Sequence, residues 1–450
     1  MSDETKPVMI RKSLKKIRPN LWTIGVAITL ILALIAELWR FHGVLLLDLW
    51  VPIFTGTWLL SQIAKNRAFY RLKVTAGGTL RSFFKVCQGP HPLPLIALPA
   101  ALFILIGFAS LLLNSAHLSS SEFLEAAFYC IRWASTFLLM LVVANQPKSQ
   151  KAHTAILIFA FATALAIAGF IQLKIAPSFV ETTYELDLGW DPHSDRLLAT
   201  WFDPNFVGGF LAIAALLMLG TAYDRPRWRI PLAASGLIVL AALALTLSRS
   251  SYLALIAGLG IFGLLRDRKL IIIGALVLTL ATATIPQVQD RVQSLADAAI
   301  STFTQDYTLP DQSSRLRFES WQNGWELFVD QPIIGHGYNR YKDASLQAGL
   351  TVDPAIHSSS GSDSSILTIL ATTGIVGLIP FLAIYLTLAV TAWRIRKKSA
   401  YAAAFLAALT ALAMHSIFVN SLLFPLIMTP FWLAAGLLPI GNRTKSCFPT

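Results

Sequence analysis

The sequence predicts an all-α polytopic membrane protein of about 12 transmembrane helices, with one long outer (periplasmic) loop before the last three spans. Three observations predict it. Of the 450 residues, 55% are hydrophobic and only 13% are charged, against about 25% charged in soluble domains. Apolar runs of about 20 residues recur along the chain, each long enough to cross the hydrocarbon core as a helix, and they lack the strict alternation of membrane β-strands. The net charge of +12 comes from short basic loops between the runs. That pattern orients a chain in a membrane, and no nucleic-acid-binding motif accompanies it.

In order, residues 1–20 form a basic tail carrying Lys6, Arg11, Lys12, Lys15, Lys16 and Arg18, which is expected to stay in the cytoplasm. Nine spans are expected within residues 21–285, at 21–39, 43–64, 93–114, 123–144, 153–173, 202–222, 230–247, 252–265 and 270–285. The first has no small-residue cleavage site after it and is read as a retained helix, not a signal peptide. Residues 286–364 form the large extracytoplasmic loop, spans at 365–393, 401–418 and 422–440 make up the closing 365–440 block, and 441–450 is a cytoplasmic tail. The loop 65–92 carries Lys65, Arg67, Arg71, Lys73, Arg81 and Lys85, the strongest inside signal in the chain. Phe69, Tyr70, Phe83 and Phe84 interleave with those cations, so the loop reads either as a headgroup-binding surface or as an ordinary cytoplasmic loop. Cys87, Cys130 and Cys447 lie in a loop, a span and the tail, which predicts no structural disulfide.

The polar stretch from Asp311 to Gly377 collects most of the chemistry. It opens with Arg315 and Arg317, carries Trp321 and Trp325 at helical spacing, and breaks at Pro332, Gly335 and Gly337. Two groups near its end can move protons: His357, because histidine titrates near neutral pH, and Asp363, which also reads as the cap of the next helix. Sorting loops by side puts Arg196 and Arg249 on the outer face with Arg315 and Arg317. Cations on that face run against the positive-inside bias, and the arginine fork suits phosphate oxygens, so the four are candidate ligands of an anion held at the membrane surface. Pro204 and Asn205 are placed to start a helix, and Gly208 and Gly209 to admit a close neighbour.

Arg132 lies inside a span, where a functional role is the default, although a structural pair with Glu125 two turns back on the same face is favoured; Asp48 is a weaker case of the same kind. Glu185, Asp187, Asp191, His193 and Asp195 crowd one outer loop, but their spacing matches no defined cation loop, so no metal and no cofactor is expected. Trp190, Trp201, Trp321, Trp325 and Tyr338 are read mainly as interfacial anchors or packing groups, with sugar stacking as the functional alternative.

Four pieces of the chain together resemble the O-antigen ligase and O-antigen polymerase superfamily of bacterial membrane proteins. They are Arg196 running to Pro204-Asn205, the Ser248-Arg249 turn before Tyr252, Arg315 through Trp321 to Pro332-Ile-Ile-Gly-His-Gly337, and Ser364-Ser-Ile-Leu367 running into Gly374-Ile-Val-Gly377. The resemblance implies transfer or joining of glycans carried on undecaprenyl pyrophosphate at the outer face of the inner membrane, a glycosyltransferase role in envelope polysaccharide (lipopolysaccharide) biosynthesis. It implies a lipid-pyrophosphate donor, a glycan or lipid acceptor, contact with membrane lipid, and no nucleic-acid partner. Arg196 and Arg249 match the family's arginine positions. The family's basic histidine would stand where this chain has Asp363-Ser364, and His357-Ser358 comes six residues earlier. The base implied is therefore His357 on a shifted loop, the first choice, or Asp363 by substitution. The motifs do not separate ligase, polymerase and protein O-oligosaccharyltransferase. A lipid-linked oligosaccharide flippase is the rival from another class; it would carry its charges along a mid-membrane path.

Overall fold

The computed structural model describes residues 19–41, 44–71, 95–116, 118–178, 193–284, 289–290, 293, 312–350 and 361–439. Both tails, most of the 65–92 loop, most of the acidic outer loop with Trp190, and His357 lie outside the described residues, as do Cys87 and Cys447. Helices dominate. They are α1 (Leu21–Ile35), α2 (Leu46–Arg71), α3 (Ala97–Leu113), α4 (Ser120–Ala144), α5 (Lys148–Ile175), α6 (Pro204–Asp224), α7 (Arg229–Leu245), α8 (Arg249–Leu265) and α9 (Lys269–Thr284), then α10 (Gln312–Asp330) and α11 (Tyr341–Gln347) in the long polar segment, then α12 (Ser365–Ile395), α13 (Ala400–Phe418) and α14 (Pro425–Ala435). A two-stranded antiparallel hairpin, β1 (Arg40–Phe41) and β2 (Val44–Leu45), joins α1 to α2.

Among the described residues, eight helices are long and apolar enough to cross a membrane, and α3, α8 and α14 are shorter apolar helices. Several boundaries differ from the sequence expectation. Helix α5 begins at Lys148, well before residue 153, and α14 spans only Pro425–Ala435 of the expected 422–440. Arg249 is the first residue of α8 and not the tip of a turn, with Ser248 at the N-cap.

The bundle is organised around α13. Its alanine-rich sequence buries 13 of its 19 residues, and α6, α8 and α12 pack against it. Small side chains permit this close approach, the usual device for helix association where lipid removes the hydrophobic drive. One end of α13 is tied down by Asp224 at the end of α6, whose carboxylate accepts from Ala400 N, Tyr401 N and the Ser399 hydroxyl at 2.8–3.0 Å. Those groups are the orphan donors of a helix start, so one carboxylate fixes two spans together.

The expected 365–393 span is not a continuous helix. At Gly374 the backbone turns to φ 62°, ψ −169°, splitting α12. The loop after α10 fills the break. Pro332 and Ile333 carbonyls accept from Ile375 N and Val376 N at 2.9 and 3.3 Å, while His336 N and Gly337 N donate to the carbonyls of Ala371 and Thr372 at 2.9 and 3.1 Å. Ser110 of α3 adds a bond to Thr372 O at 2.9 Å. Backbone groups freed inside a membrane protein must be satisfied by protein, and this loop does so on both sides of the break. The Pro332-to-Gly337 motif therefore has a structural role. A Cβ on Gly335 would stand 2.5 Å from Thr372 C, and one on Gly374 would overlap Ile333 O.

The buried charge pairing also differs from expectation. Arg132 pairs with Asp48 at 3.0 Å, not with Glu125. Asp48 also accepts from Leu45 N at 3.2 Å, so it caps the start of α2 while neutralising the guanidinium on α4.

Candidate functional site

Arg196, ahead of α6, and Arg249, at the start of α8, are placed at one corner of the bundle. Arg196 Nε donates to Thr246 O at 2.9 Å, and its Nη2 lies 3.5 Å from Asn205 Oδ1. Asn205 Oδ1 also accepts from Ser248 Oγ at 2.9 Å, and Ser248 directly precedes Arg249. Helix α6 starts as the sequence indicates: Pro204 is its first residue, and Asp203 caps it by accepting from Asn205 N and Phe206 N. Arg249 is buried, 7% exposed, at the first position of α8. A guanidinium there adds its charge to the positive end of the helix dipole, which makes this corner suited to an anion.

The backbone at this corner is strained. Asp195, Ala199, Phe202 and Leu247 all have positive φ, 54°, 50°, 56° and 50°. Non-glycine residues in that region cost about 1–3 kcal/mol each and persist only where the surroundings over-determine them. Here Gln172 Oε1 accepts from Leu198 N and Ala199 N, and Leu197 N donates to Leu245 O at 2.9 Å. Such strain clusters at functional sites.

A buried polar chain runs inward from the corner. Ser251 Oγ donates to Ser248 Oγ at 2.9 Å and lies 3.3 Å from His415 Nε2; His415 Nδ1 lies 2.5 Å from Ser421 Oγ. His415 is 1% exposed. Its ring packs on Gly209, where a Cβ would come within 2.6 Å of the imidazole, and a Cβ on Gly208 would come within 2.5 Å of Ser251 Oγ. The two glycines thus admit side chains from α8 and α13. Beyond His415, Ser365 Oγ accepts from Leu422 N at 3.1 Å, joining the start of α12 to the turn that holds Ser421.

Asp363 lies at that start. Its backbone N donates to Ser320 Oγ on α10 at 2.9 Å. The capping expectation is overturned: Ser364, not Asp363, occupies the N-cap of α12, and no side chain bonds there. Burial and the nearby Asp363 carboxylate push the Tyr341 hydroxyl upward, so Tyr341 keeps its proton. Arg317 on α10 is half-buried and close enough to bear electrostatically on His415. Arg315 does not join this corner. Its side chain is 60% exposed and pairs with Glu319 at 3.8 Å.

The aromatic candidates separate clearly. Trp201 is fully buried; its Nε1 donates to Ala33 O at 2.9 Å and its ring packs on Phe210, so it is core. Tyr338 is buried against Phe103. Trp325 is exposed beside Phe328, and Trp321 packs on Phe418 with its Nε1 buried and unpartnered. Of the acidic stretch 185–195, His193 and Asp195 are among the described residues. The His193 ring lies 3.5 Å from Arg196 Nη1, and no metal-binding group occurs among the described residues. Sequence reasoning missed His415. Its signal was a histidine closing an alanine-rich span just before Asn420 and Ser421.

Comparison with known proteins places part of this arrangement in a family. No curated protein matches the chain. The family model described as O-Antigen ligase matches residues 234–382. The matched stretch takes in Arg249, α10, the loop that plugs the broken helix, and Asp363; Arg196, Asn205 and His415 lie outside it. The match covers about a third of the chain, and it supports a relation between residues 234–382 and the O-antigen ligase/polymerase superfamily.

Proposed function

We propose that the protein transfers a glycan from undecaprenyl pyrophosphate to an acceptor hydroxyl at the outer face of the bacterial inner membrane, with both termini in the cytoplasm. The single observation that carries this reading is the strained corner where Arg196, Asn205, Ser248 and buried Arg249 meet at the start of two helices. The family match supports glycan transfer of the O-antigen ligase type.

In this reading Arg196 and Arg249 hold the donor pyrophosphate and neutralise the charge that grows on it as the sugar leaves. Arg317 adds positive potential from α10. A base takes the acceptor proton, the acceptor oxygen bonds to the anomeric carbon, and the sugar–phosphate C–O bond breaks with its electron pair going to undecaprenyl pyrophosphate. A single displacement of this kind inverts the anomeric centre. His357 is the first choice for that base and Asp363 the alternative; the Asp363 backbone N donates to Ser320 Oγ beside the start of α12. The arginines supply the neutralising charge, so no metal is needed.

The test is turnover by purified protein in detergent, with synthetic undecaprenyl-pyrophosphate oligosaccharide, a candidate acceptor and chelator present. Release of undecaprenyl pyrophosphate, abolished in Arg249→Ala, supports the reading. Whichever of Asp363→Ala and His357→Ala retains turnover is not the base. Lipid-linked sugar crossing liposome bilayers without any transfer would make the protein a flippase and sink the assignment.

A further inference from the structure

A polar cavity of about 210 Å³ lies between the end of α3 and α11, and none of the residues of the arginine corner lines it. Asn114, His336, Arg340, Asp343 and Gln347 supply its polar wall, and Leu113, Leu118 and Ala116 supply an apolar one. The polar wall is held from behind. Asn114 Nδ2 donates to Ser110 O at 2.9 Å and Gly335 O at 3.0 Å. His336 Nε2 lies 3.0 Å from Leu327 O, and since a carbonyl only accepts, that nitrogen carries the hydrogen. Arg340, 8% exposed, pairs with Asp343 at 3.0 Å and lies 3.9 Å from Glu122. These contacts leave Asn114 Oδ1, His336 Nδ1 and the Gln347 amide without protein partners among the described residues.

The chemistry of the wall selects its ligand. The guanidinium is already neutralised by Asp343, so an anion would have to displace a carboxylate at its own cost. A neutral polyol has no such conflict. Its hydroxyls both donate and accept, which suits an amide oxygen, a ring nitrogen and a second amide, and its C–H face can lie on Leu113 and Leu118. We propose that this cavity is a saccharide subsite, holding one neutral sugar residue of the lipid-linked glycan.

The proposal rests on the transfer reading and adds a location to it. The cavity is built on the loop that plugs α12, because His336 N donates to Ala371 O and Gly337 N to Thr372 O. A sugar bound there is therefore held on the same rigid unit that carries Asp363 at its other end.

The test is protection from labelling. Gln347 is exposed, and Cys130 is buried, so Gln347→Cys in a Cys87→Ser, Cys447→Ser background gives one reactive thiol in the full-length protein. The probe is the saccharide mixture released by mild acid from the host's own lipid-linked pool, with inorganic phosphate as the anionic comparison. The expected result is a saturable slowing of maleimide labelling by the saccharides and none by phosphate. Ala116→Trp, which fills the cavity from an exposed rim, should abolish the protection. Absence of protection by the saccharides, protection by phosphate, or protection that survives Ala116→Trp would each overturn the proposal. Protection without turnover in the transfer assay would leave the subsite standing while the transfer reading failed. Turnover without protection would do the reverse.

Discussion

Ile375 donates its backbone N–H to the carbonyl of Pro332 at 2.9 Å, so a loop from the polar segment completes a membrane helix that is broken at Gly374. The loop and the helix are one structural unit. Its two ends reach different places: the start of α12 presents Asp363 beside α10, and the plug presents His336 and Arg340 to the polar cavity.

Gly374→Ala should be among the most damaging single substitutions. It combines positive φ with a Cβ that overlaps Ile333 O, and strain of this kind alone costs about 1–3 kcal/mol. Gly349→Ala is the matched control, because Gly349 has φ 69° but open space around it. Thermal unfolding in detergent, followed by tryptophan fluorescence, should show a much larger fall for Gly374→Ala than for Gly349→Ala.

Arg249→Ala and Arg315→Ala should separate sharply. Arg249 is buried at the strained corner, whereas Arg315 is exposed and paired with Glu319. Loss of one preorganised charge contact typically lowers turnover by about 10²–10³-fold, and that is the expectation for Arg249→Ala. Arg315→Ala should stay near wild type. Arg249→Lys should fall between them, since lysine lacks the planar fork. Pyrophosphate-lipid release measures all three.

His415→Ala should destabilise the protein as well as slow it. Removal of the ring takes one hydrogen bond from each of Ser251 and Ser421, which keep bonds to Ser248 Oγ and Val419 O, at about 0.5–1.5 kcal/mol for each bond lost. His415→Gln can restore a bond to one of them and should recover part of the loss. The unfolding assay distinguishes the two variants.

Asp48→Asn and Arg132→Met should each be costly, while the double variant should cost less than their sum. The pair is buried, with side-chain exposures of 3% and 15%, and removing one partner of such a pair typically costs about 3–5 kcal/mol by leaving the other charge uncompensated. A double-mutant cycle on thermal stability reads the coupling directly.

Much of this was legible from local sequence. Apolar runs become helices wherever the run is long enough, since a chain in hydrocarbon must satisfy its own backbone. The start of α6 at Asp203-Pro204-Asn205 is likewise a local event, set by a capping carboxylate and a proline that needs no donor. The arginines stand out in the sequence because the expected topology puts them on the outer face, against the positive-inside bias.

Other features depend on which helices meet, and no periodicity records that. Arg132 and Glu125 share a helix face, yet Asp48 from another helix reaches the guanidinium first. Trp201 looks interfacial in sequence but is drawn inward by Ala33 O and Phe210. His415 is one polar residue in an apolar span until α6 and α8 bring Gly209 and Ser251 against it. Helix α12 reads as one unbroken span, and only the arrival of Pro332 and Ile333 makes the break at Gly374 tolerable. The sequence by itself determined the helices and the side chains they carry, because hydropathy and capping act within a few residues. Tertiary structure alone decided the partners, because a buried charge or a freed backbone group takes whichever neighbour packing brings within hydrogen-bond reach.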